Sequence, residues 1–95
     1  MTVYKYQLTI DDKQEILMPE GAKILSFENQ HEIPVIWAFI DPVVVKTARE
    51  FRMVGTGYLI TEDNLRFIGT ALFRGGVLVF HLFEVIPSER KVEDA

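Results

Sequence analysis

The chain has 95 residues and an apolar fraction of 48%, enough for one small domain with a hydrophobic core, which excludes general disorder. It has no cysteine, so disulfides and thiolate chemistry are excluded, and its formal net charge of −4 argues against general nucleic-acid binding. No apolar run approaches the roughly 20 residues of a membrane-spanning helix, and the N-terminal residues lack the apolar segment of a signal peptide. We therefore expect a cytoplasmic protein that does not associate with membranes.

Polar and apolar side chains alternate along the first part of the chain, which predicts four β-strands. We expect these strands at residues 3–10, 15–18, 23–29 and 34–40, separated by turns rich in Asp, Gly, Pro and Gln. The fourth strand has apolar residues at both odd and even positions. It is therefore expected to be buried on both faces.

The middle of the chain is less regular. Residues 43–48 fit either a strand or one helical turn, whereas residues 49–54 alternate as a strand. Gly55-Thr56-Gly57 predicts a bulge or a tight bend, and residues 58–60 are expected to be extended. Residues 61–64 are expected to form a turn or one turn of helix. The charged residues 88–95 predict a flexible tail, so the single β domain is expected to span residues 1–87.

Residues 65–85 predict two long strands joined by a tight turn at Gly75-Gly76. Two glycines tolerate the positive φ angles of the type I′ and II′ turns that close two-residue hairpins. Such a turn places Arg74 beside Val77, and the register of every later pair follows from it. At the far end of the hairpin, the predicted pairs are Phe67 with Glu84 and Arg66 with Val85.

The two faces of this hairpin differ in composition. One face is almost wholly apolar and is expected to belong to the core. The other mixes aliphatic and aromatic groups with polar ones, which is typical of a pocket floor or a subunit interface. Because a hairpin with apolar residues on both faces needs cover on both sides, we expect a homo-oligomer. The polar residues of the mixed face are Arg66, Thr70, Arg74 and His81.

About seven short strands, with turns about 8 to 12 residues apart, predict the fold class. We expect an all-β protein, a small antiparallel β-sandwich or partly open barrel that ends in the Gly-Gly hairpin. No segment has the sustained period of about 3.6 residues that is typical of a helix, and no internal repeat or linker divides the chain.

The residue types favour binding over catalysis. Neither serine has a nucleophile context, no acid–base pair can be placed, and the two histidines lack the spacing of a metal site. We therefore expect no catalytic residues, no metal and no cofactor. His81 is either a ligand-contacting or catalytic imidazole, or a structural histidine hydrogen-bonded to Thr70 or to a backbone carbonyl. Glu84 is interpreted as a strand-end carboxylate that reaches solvent, with burial among apolar groups as the alternative.

Arginines, aromatic residues and a glycine-rich bend together favour a site for a small anionic ligand. In this hypothesis the arginines contact phosphate, the amides of the bend form an anion nest, and an aromatic ring stacks on a base. Each feature also has a purely structural alternative. The arginines would lie on solvated strand faces, the glycine-rich bend would be a strand bulge, and the aromatic residues would belong to the core. The candidate ligand-binding residues are Arg52, Gly55, Thr56, Gly57, Arg66, Thr70, Arg74, His81, Phe83 and Trp37.

Four blocks of the sequence are distinctive as a set. They are Trp37-Ala38-Phe39-Ile40-Asp41-Pro42, Phe51-Arg52-Met53-Val54-Gly55-Thr56-Gly57, Phe67-Ile68-Gly69-Thr70 and His81-Leu82-Phe83-Glu84. These blocks resemble a family of short proteins from tailed bacteriophages and prophages that is catalogued as a domain of unknown function. The resemblance covers most of the chain and implies a phage origin and action inside an infected bacterium. It supplies no catalytic residues.

Three functions follow as hypotheses. The leading one is a non-enzymatic binding protein that sequesters a small anionic ligand, such as a nucleotide immune signal, between subunits and so blunts host defence. This step is an analogy with other small phage proteins. The second is a protein-interaction module that binds and inhibits a host protein. The third is a minor virion or assembly component. An enzyme ranks last, since no nucleophile or acid–base set is visible.

Overall fold

The computed structural model describes residues 1–87, which form seven antiparallel strands and no α-helix. In chain order the strands are β1 (Thr2–Gln7), β2 (Lys13–Pro19), β3 (Lys23–Gln30), β4 (Ile33–Ile40), β5 (Lys46–Gly55), β6 (Leu65–Phe73) and β7 (Leu78–Val85). The predicted tail, residues 88–95, lies outside the described residues. None of the described segments is a helix with the length and apolarity needed to cross a membrane.

The strands form two sheets. β1, β4 and β3 form the first sheet in that order, and β2, β5, β7 and β6 form the second. The sheets do not close into a barrel. The prediction of an all-β protein with about seven strands is therefore confirmed, in its sandwich form.

The hydrophobic core lies between the inner faces of the two sheets. Ile36 and Ala38 of β4 belong to one buried cluster with Phe51 of β5 and Leu82 of β7. Period-two alternation explains this cluster, because every second residue of a strand points to the same face. β4 is the central strand of the first sheet, but Phe39 on its outer face is exposed, so the predicted burial on both faces is wrong at that position.

Several segments differ from the sequence prediction in their bounds; β2, for example, spans Lys13–Pro19 where residues 15–18 were predicted. β1 ends at Gln7 because residues 8–12 cross from the first sheet to the second. In this crossing the Gln14 side chain bonds both the backbone N and the backbone O of Thr9 at 2.9 Å, in place of a strand partner. β5 begins at Lys46, so the second half of segment 43–48 is strand. Residues 58–60 belong to no strand.

β6 and β7 are joined by a short 3-10 turn over Arg74–Gly76. Gly75 and Gly76 have φ angles of 65° and 94°, and the Arg74 carbonyl accepts a hydrogen bond from the Val77 N–H at 3.2 Å. Both glycines thus occupy the left-handed region, where a side chain is unfavourable. From the turn the ladder continues for five residue pairs without a shift in register.

The pairing changes beyond the fifth pair. Phe67 pairs with Phe83 and Arg66 with Glu84, so the predicted pairs of Phe67 with Glu84 and of Arg66 with Val85 are wrong. Residues opposite each other in an antiparallel ladder share a face. Arg66 therefore lies on the inner face of the second sheet, and not on the outer face with the other polar residues of the hairpin.

The shift arises where β6 approaches β3. A Cβ placed on Gly69 would lie 3.5 Å from the Cβ of Phe27, so the missing side chain of Gly69 allows the two strands to pack closely. The register shift falls between Phe67 and Gly69, next to this approach. A bulge bends its strand and strengthens the local twist, which lets β6 follow β3 here. Alternation within residues 65–73 does not reveal such a tertiary contact.

Residues 56–64 lie over part of the outer face of the second sheet. Thr56 bonds His81, Arg52 pairs with Glu62, and the Ile86 N–H donates to the Asn64 carbonyl at 2.8 Å. The loop explains why Arg52, on an outward-facing position of β5, is buried. Residues of the same chain thus cover part of the sheet face for which the sequence analysis predicted a second subunit.

Candidate functional site

A cleft of about 340 Å³ opens between β3 and β6, beside the contact of Phe27 with Gly69. Both strands shift register along it, between Ile24 and Ser26 in β3 and between Phe67 and Gly69 in β6. Bulges at sheet edges re-aim side chains and are frequent beside functional sites. The residues that give this cleft its chemistry are Ala22, Lys23, Arg49, Arg66, Phe67 and Glu84.

Arg49 and Glu84 form a two-point ion pair in this cleft. Arg49 Nε lies 2.6 Å from Glu84 Oε2, and Nη2 lies 2.8 Å from Oε1. A further guanidinium nitrogen, Nη1, donates to the Ala22 carbonyl. Glu84 is only 7% exposed, so its interpretation as a solvent-reaching carboxylate is wrong. Both oxygens are engaged in a geometry that matches the planar fork of arginine.

Two cations remain in the cleft once the charge of Arg49 is offset by Glu84. Lys23 and Arg66 are both exposed, and among the described residues neither makes an ion pair. The ladder places Arg66 opposite Glu84, next to the ion pair. A chain with a formal net charge of −4 therefore concentrates uncompensated positive charge in one concave place. Concave sites lined by one sign of charge attract ions of the other sign.

Arg52 is placed differently from the prediction. It is 8% exposed, its Nε lies 2.8 Å from Asp12 Oδ1, and its Nη1 bonds a carboxylate oxygen of Glu62. Two carboxylates thus offset its single charge. Arg52 holds the β1–β2 connection and the β5–β6 loop together, and it lines a separate cavity beside Asp11 and Asp12.

His81 lies between two threonine hydroxyls. Thr56 Oγ1 is 2.8 Å from Nε2, and Thr70 Oγ1 is 2.8 Å from Nδ1. A hydroxyl donates or accepts, so both the neutral and the charged imidazole are satisfied by this arrangement. The cluster fastens the bend at Gly55-Thr56-Gly57, where Gly57 has a φ of 90°, to the outer face of the sheet.

The remaining predicted residues do not meet at one place. Arg74 lies at the hairpin tip, where its backbone N–H donates to Glu32 Oε1 at 2.6 Å. Phe83 packs edge-on against Phe67, with ring centroids 5.5 Å apart. Trp37 lies on the outer face of the other sheet, with the Lys5 ammonium 5.9 Å from its ring centroid.

The structure therefore separates the predicted site into parts. Thr56, Thr70 and His81 form one cluster, and Arg66 joins three residues that were not predicted to bind a ligand: Lys23, Arg49 and Glu84. The sequence carried little signal for them, because Arg49 and Glu84 are 35 residues apart in the chain. The alternative interpretation of Glu84, as a carboxylate buried among apolar groups, was the one useful indication of this ion pair.

These features define the class: a small two-sheet antiparallel β-sandwich with a basic cleft between its edge strands. The chain belongs to the family described as Domain of unknown function (DUF7352), whose model matches residues 1–92. The predicted membership of an unknown-function family is thereby confirmed. No curated protein and no solved structure shows a significant match.

Proposed function

We propose that this protein is a non-enzymatic binding protein that holds a small anionic ligand, a nucleotide, in the cleft between β3 and β6. The observation that carries the proposal is the pair of exposed cations, Lys23 and Arg66, in a cavity of about 340 Å³. A cavity of this size falls in the range of small-ligand sites. In this proposal the phosphate lies between the two cations.

The two cations would contribute in different ways. Arg66 would contact two phosphate oxygens through its planar fork, whereas Lys23 would act as a compact point charge. The Arg49–Glu84 pair beneath them is internally satisfied, so Glu84 is not free to act as a base toward a bound ligand. This arrangement supports binding without turnover.

Phe67 is the aromatic residue best placed for a base. Phe67 lines the cleft and is 57% exposed, and the ring of Phe83 supports its ring from the side. Stacking on such a ring is worth about 1–3 kcal/mol per base and tolerates any base. Phe67 thus takes the role that the sequence assigned to Phe83 or Trp37.

The biological setting of the proposal comes from the resemblance to tailed-phage proteins. A phage protein of this kind would act in the bacterial cytoplasm and sequester a nucleotide immune signal of the host. A second subunit would complete the cover of a bound nucleotide, since the cleft opens at the edges of two strands.

Native mass spectrometry of the protein purified from phage-infected cells tests the proposal directly. The expected result is an oligomer that releases a small phosphate-bearing molecule on denaturation. Prolonged incubation with the protein is expected to leave the mass of that molecule unchanged. The variant Lys23→Gln/Arg66→Gln is expected to lose that molecule. Lys13→Gln/Lys46→Gln, which removes two lysines elsewhere, is the matched control and is expected to retain it.

Two results would overturn the proposed function. One is retention of the ligand by the Lys23→Gln/Arg66→Gln variant, which would place the site elsewhere. The other is a bare monomer that binds none of a panel of linear and cyclic nucleotides in calorimetry. Conversion of a nucleotide to a product would replace the binding role with an enzymatic one.

A further inference from the structure

The β5–β6 loop presents three consecutive large apolar residues to solvent. Tyr58 is 76% exposed, Leu59 is 84% exposed and Ile60 is 37% exposed. Single exposed apolar residues are ordinary on a protein surface, but a run of three or more is unfavourable unless it serves a function. The run therefore marks a candidate contact surface.

This loop is held firmly on both sides of the apolar run. Before it, Thr56 bonds His81, which is itself bonded to Thr70. After it, Glu62 pairs with the buried Arg52, and Asn64 Nδ2 donates to the Ile86 carbonyl at 2.9 Å. Side chains on a pre-ordered loop lose less conformational entropy on binding than those on a mobile one. Tyr58 and Leu59 are thus exposed but supported.

A cavity of about 300 Å³ lies next to the loop. Met53 and Phe80 contribute apolar surface to it, while Tyr58 and Leu59 line it from the loop. Across the cavity runs the β1–β2 connection, which adds the exposed Ile10 and two carboxylates. The cavity is therefore apolar within and acidic at one rim.

The charge of that rim is negative. Asp11 accepts a hydrogen bond from Thr9 Oγ1 at 2.7 Å but makes no ion pair among the described residues. The side chain of Asp12 is 61% exposed although it pairs with Arg52, and Glu62 pairs with the same arginine. Asp12 and Glu62 thus share one guanidinium, and the charge of Asp11 is not offset by an ion pair among the described residues. Complementary charge at a rim steers a partner and sets its orientation.

We propose that these residues form a protein-docking surface for a segment that carries Lys or Arg next to aliphatic residues. We call it the Tyr58 surface, defined by Ile10, Asp11, Asp12, Tyr58, Leu59 and Ile60. An aliphatic side chain of the partner enters the cavity and the neighbouring cation meets Asp11 and Asp12. Tyr58 serves as the aromatic anchor, a residue type enriched among the energetically dominant contacts of interfaces.

The Tyr58 surface is separate from the cleft between β3 and β6, and the two share no lining residue. The proposal therefore stands whether or not the cleft binds a nucleotide. The Lys23→Gln/Arg66→Gln variant, which alters only the cleft, serves as one control for its test.

The test uses the full chain, labelled with 15N, and a set of synthetic ten-residue peptides. The probe peptide alternates Leu and Lys, one control peptide has Glu in place of Lys, and another has Ser in place of Leu. We expect saturable shifts of the amide signals at residues 10–12 and 58–60 with the probe peptide only. We also expect binding to weaken about tenfold in Leu59→Ser, and to weaken with added salt.

Val77→Ser provides the matched control variant, because Val77 is 80% exposed at the hairpin tip and outside the Tyr58 surface. It is expected to bind the probe peptide like the unmodified chain. Equal binding by Leu59→Ser, equal binding of the Glu peptide, or shifts confined to other residues would each overturn the proposal. A concentration-dependent dimer in sedimentation velocity that Leu59→Ser abolishes would overturn it in favour of a second copy as the occupant.

Discussion

Arg49 of β5 holds Glu84 of the neighbouring strand β7 with two parallel hydrogen bonds, of 2.6 Å and 2.8 Å. The pair lies at the margin of the core, where Glu84 is almost fully buried and Arg49 is partly so. Removing two charges from water is costly, and their attraction offsets that cost only when the geometry is good and the remaining donors are satisfied. The Ala22 carbonyl supplies one such partner.

Breaking this pair on one side is expected to destabilise the fold strongly. Arg49→Leu leaves the Glu84 carboxylate buried without its partner, which we expect to lower the free energy of unfolding by about 3 kcal/mol. The double variant Arg49→Leu/Glu84→Leu removes both charges and is expected to recover most of that loss. Urea denaturation of the three proteins measures the difference. A double variant as unstable as Arg49→Leu would contradict this account of the pair.

Substitution by alanine is expected to change stability differently at Gly69 and Gly75, because space limits the first position and the backbone φ angle limits the second. Gly69 has room for one methyl group, since its Cβ would meet Phe27 at an ordinary contact distance of 3.5 Å. Gly69→Ala is therefore expected to be nearly neutral, whereas Gly69→Val overpacks the β3–β6 contact and costs about 1–3 kcal/mol. Gly75 has open space but a φ of 65°, so Gly75→Ala is expected to cost about 1 kcal/mol. Thermal unfolding compares them, and a destabilising Gly69→Ala would refute the spacing argument.

His81 is expected to matter chiefly for the β5–β6 loop. His81→Ala removes the bonds to both Thr56 and Thr70, which we expect to cost about 1–2 kcal/mol. Hydrogen exchange is expected to accelerate most at residues 56–58, since the bend loses its anchor on the sheet. Thr56→Val is expected to reproduce the faster exchange at residues 56–58. Thr70→Val leaves the bond between Thr56 and His81 in place, so it is expected to change exchange there less. Uniform acceleration across β6 and β7 would show that His81 supports the whole sheet instead.

Glu32 links two turns and is expected to make the stability of the fold depend on pH in the acid range. The Asn29 side-chain amide and the Arg74 backbone N–H both bond its carboxylate, and these bonds hold the pKa of Glu32 below its ordinary value of 4.5. A carboxyl group whose pKa is lower in the folded than in the unfolded state stabilises the fold at pH values above its unfolded-state pKa. This contribution is lost as the pH falls through its folded-state pKa. Melting temperatures from about pH 6 to about pH 3 are expected to fall less steeply in Glu32→Gln. Identical slopes in both proteins would remove Glu32 from the acid response.

Strand content and fold class were accessible from local patterns. Alternation identified the segments that became β1 to β4, and the Gly-Gly pair matches the positive φ angles of the final turn. These features depend on neighbours in the chain, since the alternation of side chains and the φ angle of a glycine are local properties. The same reasoning extended β1 too far, because nothing local shows where a chain leaves one sheet for the other.

The candidate cleft was not accessible in this way. The bulge before Gly69 reflects packing against Phe27, a residue from another sheet, and it moves Arg66 to the opposite face of β6. The Arg49–Glu84 pair and the bond between Thr56 and His81 likewise join groups that are distant in the chain.

Composition and alternation thus determined that this chain is a small all-β domain without disulfides, because those properties are sums over local preferences. The location of uncompensated charge followed only from the packed sheets. A charge is neutralised or left free by the partners that packing brings to it, and a one-residue shift in one strand is enough to change those partners.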